Sequence, residues 1–350
     1  AIASAFQSLG IALNAGTPLD RLPVLTTAQL NQISEPASRL TQGTSVYFFD
    51  PRYRIARSLQ FRVALERQVA GGVAASVDFT HIATTRMDRI RDVNLPLPVA
   101  DATGRPVFTP ASSIGVNSLR PNQRFGAIYI TESSARSHYR SMTAALNVRR
   151  QRYSFDASYT LGFLKSHDDH ENGGFTTPVY VNAFDLDNEF GWSSIDQRHQ
   201  FLANSVLFLP AGFEITSTMR FNSGRPFSPR TGTDSNRDGI TTDRPLFRGA
   251  VVQRNTFRNR GYADVSLRAQ KSFTLPNEKG RLSLSTEFFN LFNFDNVEIG
   301  SAQMTYGNDL SVPSANALFG KVKDANGNYI SGSTLRTTPF QMQLGVRFEF

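Results

Sequence analysis

Oxygen-bearing side chains are concentrated in one loop of the chain, the segment DSNRDGITTDRP at 234–245. Asp234, Asn236 and Asp238 stand at positions 1, 3 and 5 of this segment, and Gly239 follows at position 6. Calcium loops place side-chain oxygens at these positions, a glycine at the sharp turn and a main-chain carbonyl one residue later. The spacing therefore predicts a structural Ca²⁺ site. Its ligands would be Asp234, Asn236, Asp238, Ile240 and Asp243.

The same loop departs from the EF-hand pattern at position 12, where Pro245 stands in place of the bidentate glutamate. Asp243 would have to replace that ligand. Asp, Asn and Gly also favour tight turns through their own backbone preferences, so a polar turn without a metal is the alternative interpretation. The sequence indicates no other cofactor.

A second polar cluster is the run His167-Asp168-Asp169-His170-Glu171. Two imidazoles and three carboxylates can chelate a transition metal, and an Asp–His pair can activate water for hydrolysis. The alternative interpretation is a solvated acidic loop. The chain contains neither an HExxH nor a G-x-S-x-G motif, and we therefore favour the acidic loop and predict that the protein is not an enzyme.

Composition excludes several further classes. The chain has 350 residues and no cysteine, so neither a disulfide framework nor a thiolate metal site is possible. Lys and Arg number 37 against 29 Asp and Glu. This basic excess comes without zinc-ligand spacing, without heptads behind a basic region and without an aromatic RNA-binding strand. We therefore predict no nucleic-acid partner.

Alternating apolar and polar residues recur along the chain, most clearly at its end. In the run 340–350 the even-numbered residues Phe340, Met342, Leu344, Val346, Phe348 and Phe350 are all apolar. Gln341, Gln343, Arg347 and Glu349 between them are polar. This period of two is typical of a strand with one apolar and one polar face. The chain is therefore predicted to be all-β.

The connections between these strands alternate between short turns and long loops. Short turns are expected near Gly71-Gly72 and near 149–152, 210–212 and 276–280, and long polar loops follow at 87–137, 165–197 and 223–260. Transmembrane barrels have short periplasmic turns and long outer loops, whereas β-sandwiches have more even connections. No run reaches the roughly 18–20 apolar residues of a membrane helix. We therefore predict a transmembrane antiparallel β-barrel.

The strand count suggests that this barrel is incomplete. Four hairpins and one terminal strand give about nine strands, whereas single-chain bacterial barrels have even numbers. We expect an outer loop region at 1–57 and barrel strands with their loops at 58–350, as the C-terminal part of a larger barrel. A further strand at Val46-Tyr47-Phe48-Phe49 would overturn the odd count. Because Ala1 is not a start methionine and the first basic residue is Arg21, we also expect an upstream segment.

Several segments, taken in order and spacing, resemble TonB-dependent outer-membrane receptors. The resemblance is greatest to the Oar-like type, whose members carry a carboxypeptidase-regulatory-like domain. The segments that carry it are Phe48-Phe49-Asp50-Pro51, SFDASYTL at 154–161, Asp196-Gln197-Arg198-His199, Asn222-Ser223-Gly224-Arg225-Pro226-Phe227, the loop 234–245, and EFFNLFNF at 287–294.

This resemblance implies a 22-stranded barrel in the outer membrane of a Gram-negative bacterium. Its lumen would be closed by a plug that TonB pulls, and neither plug nor TonB box is in this sequence. The implied function is active uptake of a large or scarce ligand. The implied partners are outer-membrane lipid and TonB through the plug. The 37 basic residues are, by their charge alone, expected to meet lipopolysaccharide phosphates. The alternatives are a small complete barrel hydrolase that uses the cluster at 167–171, and a passive porin or adhesin.

The terminal strand also resembles the signal that the barrel assembly machinery reads. The residues concerned are Gln343, Gly345, Phe348 and Phe350. An ordinary edge strand at the end of the chain is the alternative. If the barrel interpretation is right, the apolar face should meet lipid at Leu146, Phe155, Leu267, Leu284 and Leu344. The polar face should meet the lumen at Asp156, Arg268, Ser285 and Gln343.

Overall fold

The computed structural model describes residues 45–108, 119–122, 125–167, 180–185, 187–276 and 280–350. Nearly all regular structure in these ranges is β. The strands, in chain order, are β1 (Val46–Phe49), β2 (Arg57–Ala70), β3 (Val73–Asp92), β4 (Val99–Ala100), β5 (Pro106–Val107), β6 (Ile128–Arg149), β7 (Tyr153–Ser166), β8 (Gly191–Trp192), β9 (His199–Leu209), β10 (Phe213–Asn222), β11 (Pro226–Phe227), β12 (Leu246–Phe247), β13 (Ala250–Val251), β14 (Phe257–Arg258), β15 (Tyr262–Thr274), β16 (Arg281–Phe289), β17 (Val297–Glu298), β18 (Thr334–Leu335) and β19 (Gln341–Glu349). A short α-helix spans Ser301–Met304, and 3₁₀ turns span Asp187–Glu189 and Pro210–Gly212. No helix in the described ranges is long and apolar enough to cross a membrane.

Nine long strands form the wall of the fold. They lie side by side in the order β2-β3-β6-β7-β9-β10-β15-β16-β19, and every neighbouring pair is antiparallel. Each of the seven inner wall strands therefore pairs with the wall strand before it and the wall strand after it along the chain, as expected for an up-and-down barrel wall. The predicted all-β architecture is confirmed, and the described residues contain the predicted number of wall strands.

The short connections all lie at one end of the wall, which we call the short-turn end; the opposite end is the loop end. The β2–β3 turn needs glycine at position 72, where φ is +63° and an added Cβ would lie 2.2 Å from the carbonyl oxygen of Arg149. Only glycine adopts this backbone readily and leaves room for the neighbouring turn. The predicted alternation of short turns and long loops is confirmed.

The first long connection begins later than the sequence suggested. The prediction that this loop starts at residue 87 was wrong, because β3 continues to Asp92 and pairs there with the start of β6. The side chain of Asp92 accepts a hydrogen bond from the backbone N–H of Ile128 at 3.0 Å. This contact ties the far end of the hairpin together, so the two strands extend well beyond the rest of the wall.

β1 is not a tenth wall strand. It pairs in parallel with residues 128–131 of β6, on the part of β6 that extends beyond the loop end. The antiparallel wall has no position for a parallel strand of four residues. The remainder of the predicted loop region, residues 1–44, lies outside the described part of the chain.

The cross-strand register separates an apolar face from a polar face. Cross-strand partners share a face of the sheet, and Leu267 lies opposite Phe288, whereas Arg268 lies opposite Glu287. Following these rows across the wall gives the two groups of residues that the sequence predicted. The apolar face carries Leu146, Phe155, Leu267, Leu284 and Leu344, and the polar face carries Asp156, Arg268, Ser285 and Gln343.

The two outermost strands of the wall run in the same direction. β2 and β19 both run toward the short-turn end, and among the described residues each pairs with a wall strand on one side only. Joining them directly would require a parallel pair inside an otherwise antiparallel wall. Antiparallel closure therefore needs an odd number of additional strands between them.

Candidate functional site in the outer loops

The long connections pack against one another at the loop end around two small apolar clusters. One consists of Leu95, Phe108, Tyr180 and Ala183. The other consists of Phe227, Val297, Ile299 and Val322, with Phe257, Met304 and Phe319 packed against it. The second cluster joins two connections of the chain, the one between β10 and β15 and the one between β16 and β19. The described parts of the loops therefore form a folded layer above the wall.

A buried ion pair joins two of these loops. Arg244 donates two hydrogen bonds to the carboxylate of Glu189, at 2.7 and 2.9 Å, and both side chains are almost completely buried. Burial alone would raise the pKa of Glu189, but the Arg244 guanidinium outweighs it and holds that pKa below its ordinary value. The Glu189 carboxylate also accepts the backbone N–H of Val181 at 3.0 Å. A charge-assisted bidentate pair of this kind fixes the loops in one arrangement.

The first long connection has a polar centre of its own. Asp92 accepts a hydrogen bond from Arg120 at 2.7 Å, and both side chains are buried. Asn94 donates to the carbonyl of Gly126 at 2.7 Å and accepts the backbone N–H of Asn122 at 2.8 Å. These bonds satisfy backbone groups that would otherwise be buried without partners.

The predicted calcium loop is a compact turn held by its own carboxylates. Asp234 accepts the backbone N–H groups of Asp238 and Gly239 at 3.0 and 2.9 Å. Asp243 accepts those of Ser235 and Asn236 at 2.6 and 3.0 Å. The structure therefore brings together the side chains that the sequence selected.

The loop also holds two acids in an unfavourable electrostatic environment. Burial, followed by repulsion from Asp243, raises the pKa of Asp238 to about 8. Burial also raises the pKa of Asp243 to about 6, although the backbone hydrogen bonds that it accepts oppose the shift. Asn236 is completely buried between them and donates to Asp238 at 3.1 Å and to the carbonyl of Val181 at 2.9 Å.

The carboxylate oxygens of this loop are thus engaged by N–H donors, the arrangement of successive Asx turns. In the described ranges, no group of three or more His, Asp or Glu side chains is arranged to hold a metal ion. The Ca²⁺ site at Asp234, Asn236, Asp238, Ile240 and Asp243 stays a prediction, and the polar turn accounts for the contacts that these residues make.

A polar cavity of about 600 Å³ opens beside this loop. Asp101, Thr103, Arg105, Asp234, Ser235, Arg237, Asn308 and Asp309 contribute polar groups to its lining. These residues come from three separate connections. Carboxylates, hydroxyls, an amide and two guanidiniums around one cavity can form hydrogen bonds to a polar ligand that arrives from outside.

The second cluster, at 167–171, is represented in the described residues by His167 alone; positions 168–171 lie outside them. Burial lowers the pKa of His167, and the nearby guanidiniums of Arg136, Arg89 and Arg254 lower it further. Within the described part of the chain, no hydrogen bond joins its imidazole to a carboxylate. The ring packs instead on Phe190, with centroids 4.9 Å apart. The burial and the neighbouring cations thus both favour the neutral form of the His167 ring.

Two of the motifs that suggested a family have clear structural reasons. Asp196 accepts the backbone N–H of Leu164 at 2.7 Å and forms an ion pair with Arg258, which fixes the loop to the end of β7. Gly224 lies so close to the far end of its own connection that an added Cβ would be 1.8 Å from the carbonyl oxygen of Asn259. These motifs fix the points where loops leave the wall.

The terminal strand places its four predicted signal residues on both faces. Gln343 and Gly345 lie in rows with Glu287 and Ser285 of β16. Phe348 lies on the apolar face opposite Leu282, and its ring lies 5.9 Å from that of Phe350. Sequence reasoning missed the pairs Glu189–Arg244 and Asp92–Arg120, because the partners are 55 and 28 positions apart and no local pattern links them.

Comparison with known proteins gives a family match. A family model described as outer membrane beta barrel domain matches residues 5–252. A comparison with curated proteins finds no match. The fold is similar to the outer membrane transporter YddB from Escherichia coli, with 10% identity and a TM-score of 0.48 over 89% of this chain and 34% of that one.

Two further solved structures are similar at the same level. For the FrpB iron transporter from Neisseria meningitidis, identity is 11% and the TM-score 0.45, over 91% of this chain and 34% of that one. For the ferripyoverdine receptor of the outer membrane of Pseudomonas aeruginosa, the values are 12% and 0.40, over 72% and 25%. The chain spans about a third of the length of the first two.

Proposed function

Because the chain belongs to the outer membrane β-barrel domain family and resides in the outer membrane of a Gram-negative bacterium, we propose that it forms part of a TonB-dependent receptor. In this proposal the nine wall strands are one section of a larger barrel. The folded outer loops contact a large or scarce ligand, and the complete protein takes that ligand up actively.

One observation carries the proposal: the wall has two edge strands that run in the same direction. β2 and β19 cannot close an antiparallel barrel by pairing with each other. A receptor barrel supplies the missing strands, whereas a small barrel made of these nine strands would need a parallel seam. Small barrels with even strand numbers avoid such a seam.

The outer loops support an uptake receptor over a passive pore. Their described parts are packed around apolar clusters and buried ion pairs. The polar cavity beside Asp234 is lined by loop residues and suits a first contact with a polar ligand. A ligand held there would be passed to a plug that TonB moves; plug and TonB are partners in this proposal and belong to the complete protein.

The runner-up is a small barrel hydrolase that uses the cluster at 167–171. His167 gives it little support, because burial lowers the pKa of the imidazole and the nearby guanidiniums of Arg136, Arg89 and Arg254 lower it further. A general base needs a partner that orients its ring and stabilises its charged form. A passive porin or adhesin is the third candidate, and the experiment below distinguishes it from a receptor.

The test uses the full-length protein, purified in detergent, in two assays. The first measures binding of the periplasmic domain of TonB, and the second measures ionic conductance in planar lipid bilayers. A receptor should bind the TonB domain and show no stable open channel, because its plug fills the lumen. Steady ohmic conductance without TonB binding would identify a porin and refute the proposal.

We also propose that the terminal strand directs assembly, with Gln343, Gly345, Phe348 and Phe350 read by the barrel assembly machinery. Replacing Phe348 and Phe350 by Ala in the full-length protein should lower its level in the outer membrane. Replacing Phe340 by Ala, at the other end of the same apolar row, is the matched control. Equal membrane levels of all three proteins would contradict this role.

A further inference from the structure

The apolar face of the wall changes character near the loop ends of β3, β6 and β7. Phe79 and Met142 lie opposite each other on this face, and Leu161 lies beside Met142. The next row toward the loops contains His81 and Arg140 with Phe163, and the row after it contains His138 and Lys165. The outward surface therefore changes from apolar to basic within two residues on each strand.

An aromatic platform lies among these cations. Lys165 Nζ lies 4.8 Å from the ring centre of Trp192, and the guanidinium of Arg198 lies 4.3 Å from the same ring. Arg198 also lies 4.5 Å from the ring of Phe163. Stacking of this kind holds long cationic side chains in place while their donor groups remain available. Trp192 is the only tryptophan in the chain.

These residues enclose a cavity of about 600 Å³ on the outside of the wall. Phe79, Met142 and Leu161 form its floor on the side of the short turns. Arg140, Lys165 and Trp192 line it toward the loop end. The cavity is thus apolar at one end and cationic at the other.

The described residues do not neutralise the cationic end. Among them, neither Arg140 nor Lys165 has an acidic side chain within 4.0 Å, the distance that defines an ion pair. The described lining of the cavity contains no Asp or Glu. Arg198 lies 3.9 Å from Asp196, but that carboxylate is already paired with Arg258. As far as the described residues go, the positive charges of Arg140 and Lys165 are therefore available to an anion.

The height of this site matches the outer boundary of a membrane. Arg140 is nine residues from Arg149, the last residue of β6 at the short-turn end. Nine residues span about 30 Å along a strand, or about 23 Å along the membrane normal at a tilt of about 40°. The apolar band of an outer-membrane barrel is about 25 Å tall. Arg140 and Lys165 therefore lie where acyl chains end and headgroups begin.

We propose that this cavity, on the lipid-facing side of β3, β6 and β7, binds a phosphorylated glycolipid of the outer leaflet. The lipid phosphate is bound by Arg140 and Lys165, its sugar lies on Trp192, and an acyl chain extends over Phe79, Met142 and Leu161. A soluble anion would leave the apolar floor without a contact. A zwitterionic lipid has no net negative charge to balance Arg140 and Lys165. The site is separate from the ligand path, so it can be present whether or not the protein is an uptake receptor.

The test measures the dissociation constant of bisphosphorylated lipid A for the full-length protein in detergent. The test variant is Arg140→Gln with Lys165→Gln, and a charge-retaining variant is Arg140→Lys with Lys165→Arg. The matched control is Lys271→Gln. Lys271 lies on the same outward face, opposite Phe213 at the short-turn end, where it faces the inner leaflet.

The double glutamine variant should bind lipid A at least ten times more weakly than wild type, and the control should bind within a factor of two. The charge-retaining variant should bind within a factor of three of wild type. Equal binding by wild type and the double glutamine variant would overturn the proposal. If that variant does not fold, the wild-type protein is measured with two lipids. Its dissociation constant should be at least ten times lower for bisphosphorylated than for dephosphorylated lipid A. No preference, or displacement of lipid A by millimolar inorganic phosphate, would overturn the proposal.

Discussion

Removing the charge of Glu189 is the sharpest perturbation of the outer loops. Glu189→Gln keeps the shape of the side chain and its acceptor for the N–H of Val181, but leaves the Arg244 guanidinium buried without a carboxylate. The two side chains are only 3% and 2% exposed, so water cannot replace the lost partner. Breaking a buried ion pair in this way costs about 3–5 kcal/mol.

This cost should appear as local opening of the loops. Each 1.4 kcal/mol is a factor of ten in an equilibrium constant, so amide hydrogen exchange should accelerate about a hundredfold to a few thousandfold. The assay is hydrogen exchange with mass spectrometry on the full-length protein, reading the peptides around 180–185 and 244–252. Exchange in β9 and β10 of the wall should not change.

Two further variants control this experiment. Lys323→Met breaks the exposed Lys323–Asp295 pair, whose side chains are 36% and 39% exposed, and should cost less than about 1 kcal/mol. Glu189→Leu combined with Arg244→Met should exchange more slowly than Glu189→Gln, because no unpaired charge remains. Unchanged exchange in Glu189→Gln, or equal effects of Glu189→Gln and Lys323→Met, would show that the buried Glu189–Arg244 pair does not hold the loops together.

Three more predictions concern the wall and its loops. Leu267→Arg on the apolar face should destabilise the folded protein by about 2–4 kcal/mol in denaturant titrations in lipid vesicles, and Ser266→Arg on the polar face by much less; equal losses would reject the assignment of faces. Gly224→Ala should lower the midpoint of thermal unfolding, because its Cβ meets a backbone carbonyl at 1.8 Å, whereas Gly71→Ala, with no atom closer than 4.0 Å, should not. The pKa of Asp238 is about 8 in the folded loop, against an ordinary value of 3.8. Between these pH values the folded loop keeps a proton that an open loop releases. The stability of the folded loop therefore falls as the pH rises from about 4 to about 8. Trypsin should therefore cleave the loop faster above about pH 8 than near pH 6, after correction with a linear peptide, and Asp238→Asn should remove the difference.

The wall could be predicted from sequence because its rules are local. A period of two fixes which residues share a face, and turn residues such as Gly72 mark where the chain reverses. The rows that join Leu267 with Phe288 and Arg268 with Glu287 follow from that period once the turns are placed. The extension of β3 to Asp92 did not follow, because polar contacts in the loop hold it and not apolar alternation.

The outer loops could be predicted only in part. The turn at 234–243 has a local pattern, and the structure brings its side chains together. The Glu189–Arg244 pair joins residues 55 positions apart. Arg244 lies in the segment 234–245, but nothing in that local pattern indicates Glu189 as its partner. The site around Arg140 and Lys165 requires knowledge of which strands are neighbours. In both cases the long-range packing decides which charges meet.

An electron cryo-microscopy structure of the full-length protein in a lipid nanodisc would test most directly whether the nine wall strands are one section of a larger barrel. We expect a closed antiparallel barrel in which β2 and β19 each pair on their free edge with a strand from outside residues 45–350, around a lumen filled by a plug. A closed barrel made by this chain alone, with β2 paired to β19, would show that the nine strands are not a section of a larger barrel.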